Sequence, residues 1–107
     1  MKAMRYKFRR PTHPGELLRE DILPALRITV SELARRLRLS KQTLIELLKE
    51  KRPITADMAV RLSQVVGRTP AGWLKMQQVV DLWDLEHSAA NKDAIKRLSN
   101  GLKRKAG

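Results

Sequence analysis

Helix-starting and helix-breaking residues follow one another at short intervals from Pro11 to Glu86, and this punctuation restricts the chain to a set of short helices. Pro14 suits a first helical position and Glu16 a first turn, ahead of an apolar face of Leu17, Leu18, Ile22 and Leu23. Pro24 removes a backbone donor and crowds the turn before it, so this helix is expected to end or kink there. Thr29-Val30-Ser31-Glu32 reads as a capping box, with the Thr29 hydroxyl capping a free N–H and Glu32 reaching back. Leu33, Ala34 and Leu37 form the buried stripe of the helix it opens. After a very short turn Ser40 caps a third helix with Leu44, Leu47 and Leu48 inside, and Arg52-Pro53 stops it. Thr55 caps a fourth, with Met58, Ala59, Leu62, Val65 and Val66 at helical spacing and Gly67 at its close. Thr69-Pro70 opens a fifth, whose Trp73, Met76, Val80 and Trp83 share one side. No strand alternation occurs, and the expected fold is all-α, a bundle of five short helices.

Charge narrows what such a bundle can meet. The 107 residues carry 23 Lys and Arg against 11 Asp and Glu, a net +12, with 42% apolar residues. That is too apolar for a disordered polycation, and a single folded domain is expected. A strong positive field favours phosphate backbones, the bland alternative being charge that serves solubility alone. The charge is uneven. Residues 1–10 form a basic arm (Lys2, Arg5, Lys7, Arg9, Arg10, no acid), 11–86 the body, and 87–107 a basic tail. In that tail Ala94, Ile95, Leu98 and Leu102 could form one more amphipathic helix from about Asn91, marginal on its own.

Other classes are disfavoured. No apolar run approaches the ~20 residues that span a bilayer. The four aromatics do not share one basic helix, as membrane-surface binding would require. A cytoplasmic protein without membrane contact is expected. With no cysteine and two histidines, no metal, cofactor or disulfide is expected. His13 reads as a helix cap before Pro14 and His87 trails the fifth helix. No base, nucleophile and orienting group converge, so no catalytic residue is assigned and an enzyme is not expected.

The informative stretch is Val30 to Lys49. Two short helices about three residues apart can cross near 90–120°, leaving the second free to enter a DNA major groove. Ala34 is the small residue such a crossing needs, and Leu33, Leu37, Leu39, Leu44 and Leu47 pin both helices inward. Apolar spacing alone fits any helical hairpin; the polar residues at the start of the second helix add the chemistry. Gln42 can pair with adenine N6 and N7, Lys41 can donate to guanine O6 and N7, and the Thr43 methyl suits thymine. Glu46, on the same face as Gln42, either accepts from a cytosine amino group or is held in an ion pair with Lys49 or Lys41. Base reading is therefore assigned to Lys41, Gln42, Thr43 and Glu46. Ser40, Lys49, Lys51 and Arg52 lie where the duplex backbone would pass, although a cap and helix-dipole effects account for the same residues.

Taken together, His13-Pro14-Gly15-Glu16, the pair of helices with Ser40-Lys41-Gln42-Thr43-Leu44, the run Ile54-Thr55-Ala56-Asp57-Met58-Ala59 and the later Thr69-Pro70 with Trp73-Leu74 resemble the HigA antitoxins. These are Cro/C1-type (Xre) helix-turn-helix proteins, and the resemblance spans roughly Pro11 to Trp83. It implies a lambda repressor-like bundle and a homodimeric autorepressor on a palindromic operator. It also implies a HigB-like partner, a RelE-like ribonuclease toxin that the antitoxin neutralises. The family's recognition positions fall on Ser40, Lys41, Gln42, Thr43 and Glu46, and its following basic residues on Lys51 and Arg52. Family members usually carry Gly where this chain has Arg27, Arg38 and Glu50, and often Asn at Lys49. Side-chain-bearing residues in left-handed turns cost roughly 1–2 kcal/mol, so the turns are expected either to differ or to carry strain. The Lys49-Glu50 exchange also leaves room for the recognition helix to run one turn longer.

Trp83 either completes the core or anchors an interface. Asp81, Asp84 and Glu86 form the chain's acidic cluster, on which a basic toxin could dock, and a solvated helix face accounts for them equally. Two other readings stand beside the antitoxin: a stand-alone Xre-type regulator, and a helical interaction module with no DNA specificity.

Overall fold

The five expected helices are present and a sixth follows them. The computed structural model describes residues 9–106, with side chains for residues 9–99. The rest of the basic arm (Lys2, Arg5, Lys7) and the side chains of Leu102, Lys103, Arg104 and Lys105 lie outside the described residues. Helix α1 covers residues 14–26 as a first turn Pro14–Leu17, a π-helical stretch Leu18–Ile22 and a last turn Leu23–Leu26. It is followed by α2 (Val30–Leu37), α3 (Lys41–Leu48), α4 (Ala56–Val66), α5 (Pro70–Glu86) and α6 (Ala89–Ala106). Among the described residues there is no strand.

Pro24 neither ends nor breaks α1. The π-helical stretch lies directly before it, where the Leu23 N–H donates to the Leu18 carbonyl. A widened turn moves the backbone that the proline ring would strike, so the helix continues to Leu26. Arg27 then stops it in the left-handed region at φ 56°.

Four side-chain caps sit where the sequence puts them. Thr29, Ser40, Thr55 and Thr69 each accept from the backbone N–H three residues on, worth about 1 kcal/mol apiece. The Thr29 capping box is half formed: the Glu32 carboxylate accepts instead from Arg36 one turn later, Nη2 at 2.7 Å. A charged fork outcompetes a neutral N–H for that oxygen.

The core is a leucine seam closed by one tryptophan. Leu18, Leu33, Leu37, Leu44, Leu47, Leu62 and Trp73 are fully buried, with Ala34, Met58 and Ala59 between them. Each such large side chain contributes about 1.5–3 kcal/mol. Helix α3 rests on α2 and α1, α4 packs along α5 and against α2, and α1 also touches α5. Gly15 makes the α1–α3 approach possible, because a Cβ there would lie 1.9 Å from the Leu47 carbonyl oxygen.

The tail is helical, and begins at Ala89 rather than about Asn91. The Ser88 carbonyl accepts from Lys92 N–H at 2.9 Å in its first turn. Its Ile95 and Leu98 are 53% and 75% exposed, and the molecule is elongated at 59 × 31 × 23 Å. Among the described residues no helix is long and apolar enough to cross a membrane.

Candidate nucleic-acid interface

Both helices of the α2–α3 pair end in the same turn, and both turns use a residue other than glycine. At the end of α2, Leu39 N–H donates to Ala34 and Arg38 N–H to Arg35, with Arg38 at φ 55°. At the end of α3, Lys51 N–H donates to Glu46 and Glu50 N–H to Leu47, with Glu50 at φ 61°. These are Schellman closures, whose middle residue must be left-handed. The turn geometry is therefore kept and the strain is carried. It also corrects the expected stop: α3 ends at Leu48, before Arg52-Pro53 and without an added turn.

Neighbouring side chains hold both turns. Arg61 of α4 donates through Nη1 to the Leu37 and Arg38 carbonyls, 2.9 Å each. Arg19 of α1 donates to the Leu48 carbonyl at the end of α3. Glu50 faces two guanidinium groups, Arg10 at 2.9 Å and Arg19 at 3.5 Å. Arg10 also forks onto Asp84 of α5, with Nε–Oδ1 at 2.8 Å and Nη2–Oδ2 at 3.0 Å. One end of the arm is thus fastened to the turn after α3 and to α5. Arg10 holds the Asp84 carboxyl below the usual carboxylate range. Arg10 itself is shifted upward, first by Asp84 and then by Glu50. Beneath this network His13 is 4% exposed, and its Nδ1 accepts from Gly15 N–H at 2.9 Å. Burial pushes its pKa down.

The loop after α3 is tied to the core by Gln77. This buried side chain accepts from Ile54 N–H through Oε1 and donates through Nε2 to Asp81, both at 2.9 Å. Sequence reasoning missed Arg61, Arg19 and Gln77. Arg61 and Gln77 sit one helical step from apolar stripe residues, at positions that ordinarily read as solvated.

The outward face of α3 carries the residues singled out for base reading. Lys41 and Gln42 are exposed, and Thr43 and Glu46 are half-buried. The Ser40 hydroxyl accepts from Thr43 N–H at 3.0 Å and donates to the Thr43 hydroxyl at 2.7 Å, so both serve the cap. Lys49 and Lys51 are exposed beyond it. Glu46 pairs with neither Lys41 nor Lys49. It accepts from Arg52, Nη2 at 2.8 Å, and from Gln42 Nε2 at 3.2 Å. These two, Arg52 first, hold its carboxyl below its ordinary value.

The other cluster is dispersed. Asp84 is paired with Arg10, Asp81 accepts from neutral Gln77, and Glu86 is exposed. Trp83 is half-buried and stacks on His87 with centroids 3.8 Å apart. Its indole N–H has no partner among the described residues. Trp73, by contrast, is fully buried and donates to the Gly67 carbonyl at 2.9 Å.

A helix-turn-helix family model matches residues 18–74, from within α1 through the first part of α5. The chain belongs to the helix-turn-helix family. Its resemblance to the Cro/C1-type HigA antitoxins extends to named relatives. An uncharacterised HTH-type transcriptional regulator of Haemophilus influenzae is 36% identical over 96 residues, 90% of each chain. Antitoxin HigA-1 of Vibrio cholerae is 37% identical over 81 residues, 76% of each. Among solved structures, Pseudomonas aeruginosa antitoxin HigA with the higBA promoter matches with a TM-score of 0.74 at 36% identity. That match covers 82% of this chain and 94% of that one. The α2–α3 pair lies inside the matched region.

Proposed function

We propose that this helix-turn-helix protein is a HigA-like antitoxin, a cytoplasmic DNA-binding autorepressor that also neutralises a HigB-like ribonuclease toxin. The observation that carries the DNA half is the exposed first turn of α3. Lys41 and Gln42 point away from a seam of buried leucines and Thr43 lies beside them. A relative of the same fold was solved with its own promoter. Lys41, Gln42 and Thr43 read base edges, while Ser40, Lys49 and Lys51 meet the phosphate backbone. The protein acts as a homodimer on a palindromic operator, with half-sites about 34–36 Å apart or a multiple of that.

The antitoxin half is supported by the relatives named HigA. The toxin surface is assigned to the C-terminal half of α5, at half-buried Trp83 and at exposed Asp81 and Glu86. Asp84 borders it with its charge already matched. Co-expression with the neighbouring open reading frame, followed by co-purification and rescue of growth, tests this half. The DNA half is tested by footprinting on the upstream promoter. Relatives named only as transcriptional regulators cover as much of the chain, and they favour a stand-alone regulator as the second reading. Operator binding with no co-purifying toxin would select it, and binding without sequence preference would leave only an interaction module.

A further inference from the structure

Glu46 is the only acid in α3, on the face where a carboxylate repels phosphate, and both its oxygens are occupied. Oε2 accepts from Gln42 Nε2 at 3.2 Å, and Oε1 accepts from Arg52 Nη2 at 2.8 Å and Nε at 3.2 Å. These three hydrogen bonds take most of the roughly four acceptor sites of a carboxylate, and Arg52 matches its charge. The guanidinium is fixed at both ends. Its backbone runs between two anchors, Lys51 N–H on the Glu46 carbonyl and Ile54 N–H on buried Gln77, each at 2.9 Å, with Pro53 between them. Its head is turned by the carboxylate, so Nε and one side of Nη2 are used. The Nη1–Nη2 edge makes no other hydrogen bond among the described residues, and the side chain is 42% exposed. A phosphate contact needs charge but not a fixed orientation. A guanidinium held in one plane by a carboxylate is what bidentate recognition of guanine O6 and N7 requires.

We propose that Arg52, oriented by Glu46, reads a guanine of the operator next to the base pair read by Gln42, so that Glu46 is a positioning residue and not itself a base contact. This rests on the DNA-binding reading above and goes beyond it by reassigning both residues.

The test is selection of bound sequences from randomised duplexes by the full chain and its R52K, E46A and E46A/R52K variants, with circular dichroism to verify the fold. Discrimination at one G·C pair should fall about tenfold or more in R52K. It should fall at the same pair in E46A, while affinity for unrelated duplexes rises as a repulsive charge is removed. The double variant should lose no more discrimination than R52K alone, because the two residues act as one unit. Three results would overturn the proposal: R52K weakening every duplex alike with preference intact, E46A relaxing a different pair, or losses that add in the double variant. A wild-type chain with no sequence preference would instead overturn the DNA-binding reading itself.

Discussion

Gly15 and Leu47 are in contact so close that a methyl group on the first would sit 1.9 Å from the carbonyl oxygen of the second. This contact seats α3 on α1. A Cβ there must push α3 outward or unseat His13, whose Nδ1 is also within 3.2 Å of the Cβ position. G15A should therefore destabilise the fold by about 1–3 kcal/mol, read as a lower denaturation midpoint. An unchanged midpoint would show that α1 and α3 slide apart freely.

His13 makes stability depend on pH. Its Nδ1 accepts from Gly15 N–H, which requires a neutral ring, and burial lowers its pKa from 6.5. Between the lowered value and 6.5 the unfolded chain binds more protons than the folded one, so stability rises with pH there. The contribution is complete above about 6.5 and is lost as pH falls below it. Asp84, held down by Arg10, and Glu50, where burial raises the pKa but the surrounding cations led by Arg10 together lower it further, have folded pKa values below 3.8 and 4.5, so their contributions fade only in more acid solution. Urea unfolding at pH 7.5 and 5.5 should show a lower midpoint at 5.5. H13N, which can cap without titrating, should flatten that difference whatever its absolute stability.

The left-handed residues separate strain from function. Arg38 and Glu50 stand at φ 55° and 61°. R38G should stabilise the protein by about 0.5–1 kcal/mol, the relief of the left-handed penalty less the entropy glycine adds to the unfolded chain. E50G should gain less, because it also forfeits the pairs with Arg10 and Arg19. Thermal midpoints of the two variants give the comparison. Equal gains would mean that those pairs contribute nothing.

On DNA, exposed charge and directional contacts should behave differently. K51A should weaken binding to all duplexes alike and reduce the slope of log affinity against log salt by about 0.9. Q42A should cost about 1–3 kcal/mol on the operator and relax preference at one base pair. Titration of operator and scrambled duplexes at several salt concentrations separates the two. A Q42A protein that is folded and keeps full selectivity would contradict the docking of α3.

The caps, the leucine seam and the outward first turn of α3 were legible because each follows from spacing within a few residues. Ser40 had to cap whatever began at Lys41, and Leu44, Leu47 and Leu48 had to share a face. At Pro24 the choice between an end and a kink was not legible, for the opposite reason. Whether a proline breaks a helix depends on whether the turn before it can widen, as Leu18–Ile22 does here. The ion-pair partner of Glu46 was not legible because Arg52 lies beyond the helix end, outside the three- and four-residue spacings that single-helix reasoning covers.

Local chemistry along the chain was enough to determine how many helices the body has, where they begin, which faces they bury and that one of them presents lysine and glutamine to solvent. Tertiary structure alone decided how that helix is held. Arg10 spans Glu50 and Asp84, Arg61 closes the α2 turn, Gln77 fixes the loop at Ile54, and Gly15 admits the Leu47 carbonyl. Each of these joins residues far apart in sequence, and a polar side chain's partner is set by which chain segments the packed core brings within hydrogen-bonding distance.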